Sequence, residues 1–301
     1  SNMNNLHYSD EKNILLMVAL LKAHNIRRVI ASPGTTNITF IGSLMHDPFF
    51  EMYSSVDERS AAYIACGMAE ESGEPVVISC TGATASRNYL PGLTEAYYRK
   101  LPVLAITSTR EECKIGHLID QQIDRTQIPK DACVCSEHLQ VIKDDEDMWN
   151  CTIKINRAIL ALRQHGGGPT PINLPTTYSK NFSVLSLPKV RKISRYYPLD
   201  NLPKITQKKV AVFIGTHKKM RDEEILAIDK FCECYNAVVF RDICSGYHGK
   251  YGLNHGMLSG DECLLMDLLI NIGEVSAAAH SCTPKERRRV REDGAFRNTY
   301  R

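Results

Sequence analysis

The sequence predicts an α/β protein: a doubly wound parallel sheet, followed by a second, incomplete Rossmann-like α/β domain. Short apolar runs alternate with helical patterns along the first half, which indicates parallel strands joined by crossover helices. The runs are nearly continuous in apolar residues, as expected for strands covered on both faces. A second series of such runs begins at Lys209, after a stretch that contains several prolines.

The elements of the first half follow from apolar spacing and from the glycines and prolines that interrupt it. Apolar residues at helical spacing, among them Ile14 and Val18, predict the first helix. Ser32-Pro33-Gly34 ends the first strand, and Gly73 ends the helix that precedes the third strand. The predicted strands are 28–31, 51–56, 76–80, 103–108 and 172–174, and the predicted helices are 9–24, 36–46, 59–72, 84 to about 100, and about 146–165.

The second half has a weaker pattern. Residues 179–207 combine scattered prolines with little periodicity, which predicts a linker between domains. Beyond it we expect a strand at 209–215, a helix at 221–235 and strands at 237–241 and 265–272. The last thirty residues are polar and predict no further strand. The basic cluster at 285–291 contains Glu286 and is interpreted as a solvated helix face.

Composition excludes several classes of function. With 43% hydrophobic and 24% charged residues, the chain has the balance of a globular protein. A net charge of +3 gives no electrostatic case for nucleic acid as a partner, and no apolar run reaches the ~18 residues that span a bilayer. The eleven cysteines include the pairs Cys133/Cys135 and Cys232/Cys234, without a second pair at zinc spacing. We therefore expect reduced thiols, no bound metal on this chain, no membrane and a cytoplasmic location.

Four predicted strands of the first half end in small or polar residues. Such loops mark the ligand edge of a doubly wound sheet, since small residues let a ligand approach the backbone. Glu58, in Asp57-Glu58-Arg59, is the candidate catalytic residue because a carboxylate at this edge can act as an acid or base. The alternative interpretation is that Asp57-Glu58-Arg59 is a surface turn that caps the next helix. No loop has a Walker A or G-x-G-x-x-G pattern, so phosphate binding is not expected in this half. The loops are 32–35, 57–59, 81–84 and 107–109.

An ordered set of segments resembles the pyrimidine-binding (PYR) domain of thiamine-diphosphate (ThDP) enzymes of the acetolactate synthase and 2-oxo-acid decarboxylase type. The set begins with Ser32-Pro33-Gly34 and Asp57-Glu58-Arg59 and ends with Ile172-Asn173-Leu174-Pro175. The loops are most similar to the SEPHCHC synthase family of the menaquinone pathway. The resemblance implies domains at 1–178 (PYR), 179–207 (linker) and 208–301 (part of the central domain).

The resemblance also implies roles for individual residues. Glu58 would hydrogen-bond the N1′ atom of the cofactor's aminopyrimidine and favour the tautomer that removes the proton from the thiazolium C2. The chemistry belongs to the cofactor, while the protein supplies position and proton relay. Ten residues would border the cofactor: Ser32, Pro33, Gly34, Thr35, Thr81, Gly82, Thr84, Asn88, Gln121 and Gln122.

Two departures from the family qualify this expectation. The Gly-Asp-Gly and Asn-Asn motif that binds Mg²⁺ and diphosphate in the family is not found, so the diphosphate-binding (PP) domain is expected to be missing. Thr35-Thr36 stand where the menaquinone enzyme carries an arginine, which does not favour a dicarboxylate substrate. The expected whole enzyme acts on a small 2-oxo acid with ThDP and Mg²⁺, as a homodimer or homotetramer, and these residues alone are expected to be an inactive fragment.

Three alternatives remain open from the sequence. The PP domain could reside on a separate subunit, which would make this chain the PYR-bearing half of a two-subunit enzyme. The chain could also be a non-catalytic binding protein that keeps the PYR fold. Finally, it could be an unrelated nucleotide-binding α/β protein. The coding sequence beyond codon 301 distinguishes the first two from a fragment.

Overall fold

The computed structural model describes residues 7–254, 264–274, 282–290 and 296–300. The chain divides into two compact units, with the division between Val190 and Arg191. This division falls inside the stretch 179–207, which is not structureless: Val184 pairs with Tyr8 in an isolated antiparallel bridge, and a strand lies at Ile193–Tyr196. No helix among the described residues is both long enough and apolar enough to cross a membrane.

The first unit is built on six described strands in a parallel sheet of order β2-β1-β3-β4-β6-β5. Helices α1, α2 and α6 pack with one apolar cluster, and α3 and α5 pack with another. This confirms the predicted doubly wound α/β class. The strands are β1 (Arg28–Ala31), β2 (Glu51–Ser54), β3 (Val76–Thr81), β4 (Val103–Thr109), β5 (Glu137–His138) and β6 (Thr170–Pro175). The helices are α1 (Lys12–Ala23), α2 (Ile38–Met45), α3 (Glu58–Ser72), α4 (Thr84–Arg87), α5 (Leu90–Arg99) and α6 (Asp145–Ala161).

The helix predicted from 84 to about 100 is broken in the structure. Helix α4 ends at Arg87, and α5 begins at Leu90 with Pro91 in its first turn. A proline in the middle of one continuous helix would remove a hydrogen bond and clash with the preceding turn, whereas the first turn tolerates it. The break places Tyr89 between the two helices with its side chain fully buried.

The second unit contains seven described strands in the order β10-β9-β8-β11-β12-β13-β7. The pairs from β10 to β12 are parallel, and β13 runs antiparallel to both of its neighbours. The elements are β7 (Ile193–Tyr196), β8 (Val210–Ile214), α7 (Asp222–Tyr235), β9 (Val238–Arg241), β10 (Gly252–Asn254), β11 (Leu264–Ile272), β12 (Cys282–Val290) and β13 (Phe296–Tyr300).

The prediction for the last thirty residues is wrong, because β12 and β13 lie there. The basic cluster 285–291 is not a helix face: most of it forms β12, in which Glu286 and Arg288 are buried and Lys285 is exposed. Arg288 Nε donates to Glu286 Oε1 at 2.7 Å, and Arg288 Nη1 donates to the Pro203 carbonyl at 3.1 Å. Alternate residues of a strand face one side, and here the buried side carries charges that satisfy each other.

Candidate active site

The order of strands reverses between β1 and β3. From β1 the chain adds β2 on one side, and from β3 it adds β4 and β6 on the other. All these strands are parallel, so their carboxyl ends meet at one edge, with Ala31 in register with both Ser54 and Ser79. Open α/β sheets bind ligands at such a reversal. The polar loops predicted from sequence therefore lie together at the carboxyl edge.

The loop after β1 is held rigidly against its neighbours. Ser32 N–H donates to the Ser79 carbonyl at 2.9 Å, and Ser32 Oγ donates to the Ser55 carbonyl at 2.6 Å. Asn37 Oδ1 accepts from Gly34 N–H at 2.8 Å. These bonds join the ends of β1, β2 and β3 around the reversal point.

The loops after β3 and β4 also meet. A Cβ atom on Gly82 would lie 2.9 Å from the Ser108 carbonyl oxygen, so glycine permits this approach of the two backbones. Gln122 Oε1 accepts from Thr109 Oγ at 3.1 Å and from Arg110 N–H at 3.3 Å. Gln122 thus joins the strand-end cluster from a long loop.

Glu58 is the first residue of α3 and is half-buried. Asp57 precedes it as the N-cap, and its carboxylate accepts from Ser60 N–H at 2.8 Å. The small residues of α3 allow close packing on α5, since a Cβ on Gly92 would lie 2.4 Å from Ala62 Cβ. The sequence analysis predicted that Glu58 lies at the end of a strand. In the structure it lies at the start of a helix, where the helix dipole favours a carboxylate.

A row of polar side chains crosses the sheet just below this edge. Cys80, Thr107, Asn173 and His138 are in register across β3, β4, β6 and β5. Asn173 Nδ2 lies 2.7 Å from His138 Nδ1, and the guanidinium of Arg125 donates to Asn173 Oδ1. The row forms a polar layer between the apolar core and the candidate site.

Burial shifts the pKa values of Cys80, Tyr89 and Arg125. It raises the pKa of the Cys80 thiol to about 12, with a further contribution from the negative charge of Glu58. Burial also raises the pKa of Tyr89 well above its usual value, and Cys80 and Glu58 add to this effect. Both groups therefore keep their protons near neutral pH. Burial lowers the pKa of Arg125 to about 10, which still leaves it charged.

The predicted cofactor residues divide into two groups. Ser32, Gly34, Thr81, Gly82 and Gln122 are packed into the strand-end cluster. The others are exposed, and their side chains donate or accept no hydrogen bond within the described structure. They are Pro33, Thr35, Thr84, Asn88 and Gln121. Gln121 also has a positive φ of 55°.

Sequence reasoning missed Cys80, Tyr89, Arg125, Asn173 and His138 as members of the site. A signal existed for Cys80 and Asn173, because each is a polar residue inside an apolar strand near its carboxyl end. Arg125 has no such signal. It lies in an irregular stretch, and only the folded loop brings it under the sheet edge.

Residues 15–128 match the family described as thiamine pyrophosphate enzyme, N-terminal TPP binding domain. The chain is 40% identical over 194 residues to 2-succinyl-5-enolpyruvyl-6-hydroxy-3-cyclohexene-1-carboxylate (SEPHCHC) synthase of Bacteroides thetaiotaomicron, covering 64% of this chain and 35% of that protein. It is 27% identical to the protein of the same name from Porphyromonas gingivalis, covering 88% of this chain and 49% of that one. The chain thus spans about a third to a half of the length of these relatives.

A solved structure shows the same fold. The crystal structure of a Mycobacterium smegmatis protein described as a thiamin diphosphate-dependent enzyme matches with a TM-score of 0.50 and 19% identity, covering 88% of this chain and 52% of that chain. At this identity the match concerns the fold. The family match and the sequence relatives identify the chain as a member of the superfamily of thiamine-diphosphate-dependent enzymes that is similar to SEPHCHC synthase.

Proposed function

We propose that this chain is the pyrimidine-binding part of a ThDP-dependent enzyme that decarboxylates a 2-oxo acid, ligates the product to an acceptor, or does both. The observation that carries the proposal is the position of Glu58. It is a half-buried carboxylate at the start of α3, the helix that follows β2, and β2 lies beside β1 at the reversal point of the sheet. The family match over residues 15–128 supports the same assignment.

The residues at the edge fit the neutral ring of the cofactor. Glu58 offers a carboxylate, Gln122 offers an amide, and the loops of Gly34 and Gly82 bring backbone close to the edge. Such groups suit an aminopyrimidine, which both donates and accepts hydrogen bonds. In contrast, the described residues hold no cluster of three or more His, Cys, Asp or Glu that could bind a metal. The fit therefore concerns the pyrimidine and not the Mg²⁺-diphosphate.

Glu58 would hold a proton at the ring nitrogen that it faces. When bound, the cofactor supplies the nucleophilic carbon and the electron sink that a 2-oxo acid needs in order to lose carbon dioxide. The chain's own contribution is to orient the ring and to relay a proton. Cys80 and Tyr89 keep their protons near neutral pH, so we assign the relay to Glu58.

The remaining parts of the site would come from elsewhere. The 301 residues lack the Gly-Asp-Gly and Asn-Asn pattern, so we propose that Mg²⁺ and the diphosphate bind to a PP domain on a longer chain or a separate subunit. In that arrangement the enzyme is a homodimer or homotetramer, or a complex of two kinds of subunit. We place it in the cytoplasm with a small 2-oxo acid as substrate.

The test is the Glu58→Gln variant in the complete enzyme. We expect hydrogen–deuterium exchange at the cofactor C2 to slow by on the order of 10²–10⁴, the usual contribution of a positioned acid or base. Glu71→Gln, on an exposed position of the same helix, is the matched control and should exchange at the wild-type rate. Equal rates in the Glu58 and Glu71 variants would remove Glu58 from catalysis.

A further inference from the structure

A small cavity lies beside the break between α4 and α5, against strands β4 and β6 of the first sheet. Tyr89, Thr107 and Arg125 line it, together with apolar side chains that include Leu93 and Ala105. Its volume of about 10 Å³ has room for one particle of about the size of a water molecule. A ligand of this cavity is therefore a single water molecule or a single monatomic ion.

Arg125 brings a charge to the cavity that its hydrogen-bond partners do not neutralise. The residue is 9% exposed. Its guanidinium donates to Asn173 Oδ1 and to Thr107 Oγ1, the latter at 3.4 Å, and both acceptors are neutral. No carboxylate, Glu58 included, forms an ion pair with Arg125 in the part of the chain that the structure describes. A buried charge without an opposite charge is costly, which favours an anion close to the guanidinium.

The side chains that line the cavity add a second positive charge and no negative charge. Arg87 lines it as well, and after the larger effect of burial its charge contributes to the lowered pKa of Arg125. Burial keeps the proton on Tyr89, since it raises the pKa of that hydroxyl well above its usual value. An anion in the cavity would relieve the repulsion between the two arginines, whereas a neutral water molecule would not.

Hydrogen-bond donors are available around the cavity. A guanidinium has five N–H donors and no acceptor, and the two bonds of Arg125 use only part of them. The hydroxyl of Tyr89 is buried and makes no hydrogen bond within the described structure. A fixed positive charge with spare donors is the environment that stabilises a small anion.

We propose that this cavity binds one monatomic anion, such as chloride, held by the guanidinium of Arg125 and the hydroxyl of Tyr89. The ion would supply the counter-charge that allows the loop of Arg125 to fold against Thr107 and Asn173. Phosphate or a carboxylate is too large for the volume. The inference goes beyond the function proposed above, since it involves neither the thiamine cofactor nor a substrate.

The first test measures the stability of this chain by urea denaturation while chloride replaces gluconate at constant ionic strength. Gluconate is too large for the cavity, and constant ionic strength keeps general screening the same. For a dissociation constant of about 10 mM, raising chloride from zero to ~100 mM should lower the equilibrium constant of unfolding about tenfold. Bromide should act as chloride does. Equal stability in chloride and gluconate would overturn the proposal.

Variants locate the ion in solution. Tyr89→Phe removes only a hydroxyl that has no partner in the described structure, so it should fold normally and weaken the chloride response. Arg125→Gln should abolish the response; if it does not fold, the wild-type and Tyr89→Phe measurements still decide. Arg163→Gln, an exposed arginine that donates to the Gly73 carbonyl, is the control and should respond as the wild type does. A full chloride response in Tyr89→Phe or in Arg125→Gln would overturn the proposal.

Crystals of this chain soaked in bromide show the site directly, because bromide scatters X-rays anomalously. We expect an anomalous peak in the cavity, within hydrogen-bond reach of the Arg125 guanidinium. A peak without anomalous signal would mean that the cavity holds only water and would overturn the proposal. Neither measurement involves the C2 exchange that tests Glu58, so the two proposals can fail independently.

Discussion

Gly34 and Thr81 lie in direct contact across the reversal point of the sheet. A Cβ atom on Gly34 would be 2.4 Å from Thr81 Cγ2, a distance that real Cβ atoms do not reach. The φ angle of Gly34 is −164°, an extended conformation that any residue can adopt. Position 34 therefore needs a glycine because the Thr81 side chain occupies the space of a Cβ atom, and not because of its backbone conformation. The contact sets the spacing between the loops after β1 and β3.

This contact predicts a rescue experiment. Gly34→Ala should destabilise the chain by about 1–3 kcal/mol, the usual cost of overpacking a filled site. Thr81→Ser removes Cγ2, so the double variant should regain most of that loss in urea denaturation. Gly67→Ala, where a Cβ meets nothing within 4 Å, is the control and should be neutral or stabilising. Additive effects in the double variant would contradict the contact.

The buried carboxylate of Asp47 predicts a pH-dependent stability. Tyr8 Oη and Lys22 Nζ each donate to Asp47 Oδ2 at 2.7 Å, and Phe49 N–H donates to Oδ1 at 3.0 Å. Burial opposes the charge, but the hydrogen bond from Lys22 and the others outweigh it, and the pKa of Asp47 is lowered. We expect Asp47→Asn to lower the free energy of unfolding at pH 7 by about 1–3 kcal/mol.

The sign of the pH effect follows from the lowered pKa. A lowered pKa stabilises the fold above the unfolded value, near 3.9 for Asp, and this stabilisation is lost as the pH falls through the folded value. The difference between wild type and Asp47→Asn in urea denaturation should therefore be largest at pH 7 and shrink below about pH 4. A difference that stays constant from pH 7 to pH 3 would contradict the charged role of Asp47.

The cap of α3 predicts a difference between two substitutions at Asp57. Asp57→Ala removes the acceptor of Ser60 N–H and should lower the melting temperature, whereas asparagine caps nearly as well and should preserve it. Hydrogen bonds from Ser60 lower the pKa of Asp57, so the stability that Asp57 contributes should be lost as the pH falls through its lowered pKa.

In the complete enzyme, Asp57→Ala should also slow C2 exchange, because it loosens the helix start that positions Glu58. Equal melting temperatures for the two variants would argue against the cap.

Cofactor binding by these 301 residues alone should be weak. The edge fits the pyrimidine, but the chain lacks the motif that grips Mg²⁺ and diphosphate. Calorimetric titration should give a dissociation constant no better than about 0.1–1 mM. Thiamine, which lacks the diphosphate, should bind about as well as ThDP with Mg²⁺. Low-micromolar binding of ThDP would reveal a phosphate site on this chain.

The sequence alone determined the α/β class, the parallel sheet of the first unit and the loops that meet at its carboxyl edge. These features are readable because they depend on local patterns: nearly continuous apolar runs, crossover helices, and small residues where each strand ends. The same patterns could not predict that Thr35 is exposed while Ser32 is packed, since both belong to one polar segment and differ only in their tertiary contacts.

Tertiary structure decided which charged and polar residues are buried. Arg125 lies under the site because its loop folds onto Thr107 and Asn173, which are 18 and 48 positions away in the chain. Glu286 and Arg288 are buried in the second sheet although their segment has the composition of a solvated surface. Gln207 Nε2 donates to Glu286, and Arg288 donates to the Pro203 carbonyl, from 79 and 85 positions away in the chain. The burial of a charge depends on partners distant in sequence, so local composition alone cannot predict it.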